Sequence, residues 1–98
     1  MAIRKESQTD ALFRSILALE SVEECYQYFE DLCTIKEILD IAQRFEVACM
    51  LRDKKSYQQI SQETGVSTAT ISRVNRCLTY GGGGYETVMN RLKEQGKL

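Results

Sequence analysis

Apolar positions along this 98-residue chain recur at spacings of three and four rather than two, the period of helices with one buried face. No proline interrupts that pattern. Leu12, Phe13, Ile16 and Leu17 predict a first helix over about residues 10–20. Ser21 followed by Glu24 is a capping box, in which hydroxyl and carboxylate each accept a backbone N–H at a helix start. It opens a second helix whose stripe is Val22, Cys25, Tyr26, Phe29, Leu32 and Cys33. Thr34 and Glu37 repeat the box and begin the third and longest helix, which runs to about Arg52.

The third helix bears on assembly. Its polar residues Lys36, Glu37, Asp40, Gln43, Arg44 and Glu46 fall almost entirely on one narrow face, and the rest is apolar from Ile35 to Leu51. A helix apolar around more than half its circumference has to be covered on several sides. Two short preceding helices cover part of it, and a second copy of the chain supplies the remainder. The alternative is a monomer whose terminal helices wrap this one.

Asp53, Lys54 and Lys55 make a polar break, after which Ser56 and Gln59 form a third capping box for a short helix from Tyr57 to Thr64. Gly65 ends it in the left-handed position that glycine occupies without steric cost. Ser67 caps a further helix reaching about Tyr80. Gly81 to Gly84 break the chain; neither their spacing nor a G-K-[ST] ending makes them a phosphate loop. Tyr85, Val88, Met89 and Leu92 stripe a last helix, and the tail from Lys93 to Leu98 is expected to fray. The reading is all-α with six helices in a single domain: residues 1–53 a dimerisation core, 54–80 a helix-turn-helix, 81–98 a glycine turn and C-terminal helix.

Composition narrows the chemistry. The chain has no His, which removes the commonest general base, the Ser/His and Cys/His nucleophile pairs and every His-ligated metal site. The reading is therefore not an enzyme, with no catalytic residues, no metal and no cofactor. Cys25, Cys33, Cys49 and Cys77 form no C-x-x-C pair and are expected to pack as small hydrophobes with reduced thiols, a redox sensor being the alternative. Neither a signal-peptide core nor a membrane-spanning apolar run is present, so the expectation is a cytoplasmic protein with no membrane partner. The net charge of -1 hides an asymmetry. Residues 1–50 carry five basic and ten acidic side chains, residues 51–98 eight basic and four acidic. A basic half of this kind points to nucleic acid or to a membrane surface.

The segment SYQQISQETGVSTATISRVNRCL, Ser56 to Leu78, meets the steric demands of a helix-turn-helix. Ile60 points inward and Ser61 is small where the second helix crosses; Gly65 takes the turn and Val66 plugs it. Ile71, Val74 and Leu78 then face inward, and only Thr64 is polar where an apolar residue is usual. Thr68, Ala69, Ser72, Arg73 and Arg76 share the outward face. Short side chains there allow close approach to base edges, and the two arginines suit phosphate or guanine. Lys54, Lys55 and Ser56 precede the first motif helix, whose N-terminal dipole favours phosphate. Between Lys54 and Tyr80 four basic residues face one acidic residue. The alternative function is a protein-interaction adaptor that keeps the helix-turn-helix as scaffold and binds a partner through its acidic half.

The run Gly65, Ala69, Thr70, Ile71, Ser72, Arg73, of the form G-x-x-x-A-T-I-[ST]-R, resembles the Trp repressor family, and most closely its Trp repressor-related branch. The similarity is ungapped from about Ile41 to Leu78 and looser over the whole chain. The resemblance implies a Trp repressor-like, intertwined homodimer that binds double-stranded DNA at a pseudo-palindromic operator and represses transcription. It also implies that Gln58, Ser61, Thr68, Ala69 and Ser72 face the operator, with Ser67 beside them. The corepressor positions match poorly. One arginine is kept as Arg73, but the other falls on Gln43, with Arg44 about 100° away on the helix. The glycine beside the indole becomes Val74, and the serine that meets the ligand becomes Cys77. These departures at Gln43, Val74 and Cys77 argue against tryptophan as the effector and leave its identity open.

Overall fold

The structure is a computed structural model and describes residues 4–98. Six helices and no strand occur among the described residues, in the order α1 (Ser7–Leu17), α2 (Val22–Leu32), α3 (Ile35–Arg52), α4 (Tyr57–Thr64), α5 (Thr68–Tyr80) and α6 (Gly84–Glu94). The chain divides into two compact units, one ending at Ile38 and the other running from Leu39 to Leu98.

In the first unit, α1 lies three residues earlier than the apolar pattern predicts. No side chain caps its start; the Asp10 N–H donates to the Glu6 carbonyl, and its end tightens as Ala18 and Leu19 donate back to Ser15 and Ile16. Apolar spacing locates the face of such a helix but not its ends. The next two starts carry real caps. Glu24 N–H donates to Ser21 Oγ at 3.1 Å, while the Glu24 carboxylate reaches past Ser21 to accept the Glu20 N–H at 2.9 Å. Thr34 and Glu37 form the reciprocal box, at 2.9 and 3.1 Å. Two backbone N–H groups are thereby satisfied at the start of α3. The Tyr28 hydroxyl and Ser15 Oγ lie 2.6 Å apart, tying α2 to α1.

The second unit holds the core. Val47, Ala48 and Met50 of α3, Ile60 of α4, Val66 of the turn, Ile71 and Val74 of α5 and Met89 of α6 are buried together. Phe45, Cys49, Leu51, Tyr57, Leu78 and Tyr85 pack around them. The cysteines divide: Cys25, Cys33 and Cys49 are half-buried and all four are free thiols, but Cys77 is exposed, against the expectation that it packs inside. It occupies an outer position of α5 because the inner stripe runs through Val74, three residues before it, and Leu78, the residue after it.

Two helix ends carry left-handed closures. At the end of α3 the Lys54 N–H donates to Leu51 O at 3.0 Å and the Lys55 N–H to Met50 O at 3.1 Å, with Lys54 at φ 63. This is a Schellman motif with lysine where glycine is usual. At the end of α6 the Gly96 N–H donates to Lys93 O and the Lys97 N–H to Leu92 O, at 3.0 and 2.8 Å. The predicted frayed tail is thus closed by backbone hydrogen bonds through Lys97. Between α5 and α6 the glycine run has a definite start: a Cβ on Gly81 would collide with the carbonyl oxygen of Cys77.

Candidate nucleic-acid interface

The turn from α4 to α5 is built from its own side chains. Ser56 Oγ accepts the Gln59 N–H at 3.1 Å, and Ser67 Oγ accepts the Thr70 N–H at 3.3 Å. At Ser56 this hydroxyl bond is the half of the predicted box that forms among the described hydrogen bonds. Gly65 stands at φ 75 and ψ 5, and its N–H closes α4 on Ser61 O at 2.8 Å. A non-glycine residue there would bring Cβ against the following backbone.

Thr64, the polar residue in an otherwise apolar position, is explained by the turn. Its hydroxyl donates to Ile60 O at 2.7 Å and accepts the Val66 N–H at 3.1 Å. Ser61 Oγ donates to Val66 O at 2.8 Å. Two side chains therefore satisfy both backbone groups of Val66, a residue buried to 5% exposure. No buried side-chain polar atom among the described residues lacks a partner.

Burying Ile71 and Val74 turns the opposite face of α5 to solvent. Thr68, Ala69, Ser72, Arg73 and Arg76 are all exposed there, as are Gln58 on α4 and Ser67 at the cap. Neither Arg73 nor Arg76 forms an ion pair or side-chain hydrogen bond with another described residue. Ser61 differs from these: it is half-buried, and its hydroxyl is committed to the turn. Lys54 is exposed, whereas the half-buried Lys55 donates from Nζ to Glu63 Oε2 at 3.1 Å.

The residues aligned with corepressor positions are scattered in character. Gln43, Arg73 and Cys77 are exposed, Arg44 is half-buried, and Val74 is buried at 2% exposure. A residue that the sequence reading placed only on the stripe of the last helix joins them. Partial burial pushes the Tyr85 phenol up, the nearby Cys77 adds to this, and Arg44 opposes it. Arg44 and Cys77 thus meet electrostatically at Tyr85 of α6. No sequence signal marks this meeting, because it depends on how α6 returns after the glycine run. Near the end of α3, burial and then Asp53 push the Cys49 thiol up, with Arg52 opposing.

Among the described residues no group of three or more His, Cys, Asp or Glu could hold a metal ion, and no helix is long and apolar enough to cross a membrane. A cavity of about 340 Å³ lies between α3, α5 and α6, floored by Leu51, Leu78 and Met89. Arg52 at its rim donates to Asn90 Oδ1 at 2.6 Å.

An all-α chain with a self-satisfied turn and an unpaired arginine face on the second motif helix defines a helix-turn-helix protein. The comparisons place it further. The family model for Trp repressor protein matches residues 7–93, and the chain belongs to that family. It is 59% identical over 87 residues to the Bacillus subtilis protein YerC, described as uncharacterized, covering 89% of this chain and 84% of that protein. A crystal structure of a TrpR-like protein from Eubacterium eligens is 54% identical with a TM-score of 0.88, covering 91% of this chain and 92% of the other. A Trp repressor candidate from Staphylococcus aureus is 47% identical with a TM-score of 0.87, covering 91% and 89%. The family suggests a DNA-binding regulator; its members are regulators rather than enzymes.

Proposed function

We propose that this chain is a sequence-specific transcriptional repressor that binds a pseudo-palindromic operator as a homodimer in the cytoplasm, without tryptophan as corepressor. The observation that carries the DNA reading is the outward face of α5. Arg73 and Arg76 stand exposed and unpaired beside the short side chains of Thr68, Ala69 and Ser72, on a helix held from behind by buried Ile71 and Val74. Ser67, Gln58 and Lys54 flank that face. Two such helices in a symmetric dimer reach successive major grooves about 34 Å apart.

The dimer is supported by what one chain leaves uncovered. Leu17 is 83% exposed, Ile35 75% and Leu39 61%, together with Val22, Tyr26 and Leu32. Burying each large aliphatic side chain is worth roughly 1.5–3 kcal/mol, so a second copy laid over them gains considerably. The apolar face of α3 is covered within the chain at Val47, Ala48 and Met50 but not at Ile35, Leu39 and Ile41. In this reading residues 1–53 form the shared, intertwined core, 54–80 the DNA-reading head and 81–98 the closing helix of a single domain. The exclusion of tryptophan rests on Gln43, on the buried Val74 isopropyl group and on Cys77.

Selection of bound duplexes from a random pool tests the function. A recovered pseudo-palindrome whose affinity drops for Arg73→Ala or Arg76→Ala, with a salt slope lowered by about 0.9 per protomer for whichever contacts phosphate, supports it. Enrichment of no sequence, or variants that bind like the parent, refutes it. Capture of a protein partner without DNA affinity favours the adaptor instead.

A further inference from the structure

The strand-facing charges of the helix-turn-helix are not all free. Between Lys54 and Tyr80 the basic residues are Lys54, Lys55, Arg73 and Arg76, and the one acid, Glu63, holds Lys55 at 3.1 Å. The position of Glu63 gives this pair a direction. On α4, residues advance by about 100° each, so Glu63 lies about 160° from Ser61 and about 140° from Gln58. Lys55 follows the left-handed Lys54 and directly precedes the Ser56 cap of α4. Its ion pair draws the ammonium to the Glu63 side, away from the face that carries Gln58.

We propose that Glu63 is a positioning residue that sets the electrostatic strength of DNA binding by withholding Lys55 from phosphate. The inference rests on the DNA-binding reading above. Each phosphate neutralised by a cation contributes about 0.9 to the slope of log affinity against log salt, irrespective of base sequence. Withholding Lys55 removes one such contribution from each protomer of the dimer and shifts the burden of binding towards the base contacts of α5. Lys54, exposed at the same entrance, keeps its own.

The test uses the full-length protein and a duplex of random sequence, with affinity measured between 50 and 200 mM salt. Glu63→Gln releases Lys55 in both halves of the dimer, so its slope should steepen by about 1.8, an extra loss of about 12-fold across that range. Lys55→Gln alone should leave the wild-type slope unchanged, and adding Glu63→Gln to it should have no further effect. An unchanged slope in Glu63→Gln overturns the proposal. So does an equal gain in the Lys55→Gln background, which would mean that Glu63 repels phosphate directly. A slope lowered by Lys55→Gln alone also overturns it, since Lys55 would then already touch DNA. Wild-type protein that binds no duplex at all overturns the DNA-binding reading itself, a result distinct from these three. Circular dichroism checks folding, which substitution of the exposed Glu63 and the half-buried Lys55 outside the core should preserve.

Discussion

Replacing Thr64 by valine sets a general preference against a local one. In a generic helix-turn-helix an apolar residue at this position improves the core, which makes Thr64→Val a stabilising change. Here the hydroxyl donates to Ile60 O at 2.7 Å and accepts the Val66 N–H at 3.1 Å. Valine matches threonine in volume, so packing is preserved and the hydroxyl alone is lost. The Ile60 carbonyl keeps its helical partner, but the Val66 N–H, in a residue 5% exposed, loses its acceptor. A buried donor left unpaired costs about 1–3 kcal/mol, against at most about 0.8 kcal/mol gained from the new methyl. The net expectation is destabilisation by about 1–2 kcal/mol, at roughly 4–8 °C of Tm per kcal/mol for a chain of this size. Thermal unfolding at fixed protein concentration measures it, and amide exchange should show protection lost at Val66. Thr64→Ser keeps both bonds and should cost under about 1 kcal/mol. A Thr64→Val protein as stable as the wild type would refute the reasoning.

The glycine run should be unequal under substitution. Gly81→Ala puts a Cβ against Cys77 O and should cost about 1–3 kcal/mol in denaturant unfolding, whereas Gly82→Ala, with nothing within 4 Å, should stay within about 0.5 kcal/mol. Equal costs at the two sites would remove the collision as a cause. The Glu37 carboxyl is held below the ordinary glutamate range by the Thr34 backbone N–H and then by the Thr34 hydroxyl. A lowered folded value means its contribution is complete above the unfolded value and is lost as acid protonates the folded carboxylate, so the α3 cap weakens only on acidification. NMR titration should find Glu37 low in the wild type and less so in Thr34→Ala, which loses the hydroxyl but keeps the backbone N–H; a Glu37 that is not lowered in the wild type would contradict the cap.

Local chemistry was legible where two or three neighbouring residues decide the outcome. Ser21, Thr34, Ser56 and Ser67 each cap the helix that the sequence assigns to them. Gly65 takes the left-handed turn, and Ile60, Val66, Ile71 and Val74 are buried as the helix-turn-helix pattern requires. Less was visible where no cap marks a boundary, as at the uncapped start of α1, or where a backbone closure overrides composition, as at Gly96. The polar run at Lys54 read as a break but not as a left-handed lysine, because lysine carries no preference that announces it.

By itself, then, the sequence determined six helices, the turn geometry of the motif and the outward set of Thr68, Ala69, Ser72, Arg73 and Arg76, since these follow from periodicity and contacts within a few residues. Tertiary structure decided which of those groups are free to act. It paired Lys55 with Glu63, spent the Ser61 and Thr64 hydroxyls on Val66, left Cys77 outside and brought Tyr85 to Arg44 and Cys77. The physical reason is that a side chain's availability depends on neighbours fixed by chain reversal and helix crossing, and neither is encoded in the spacing of residues along one helix.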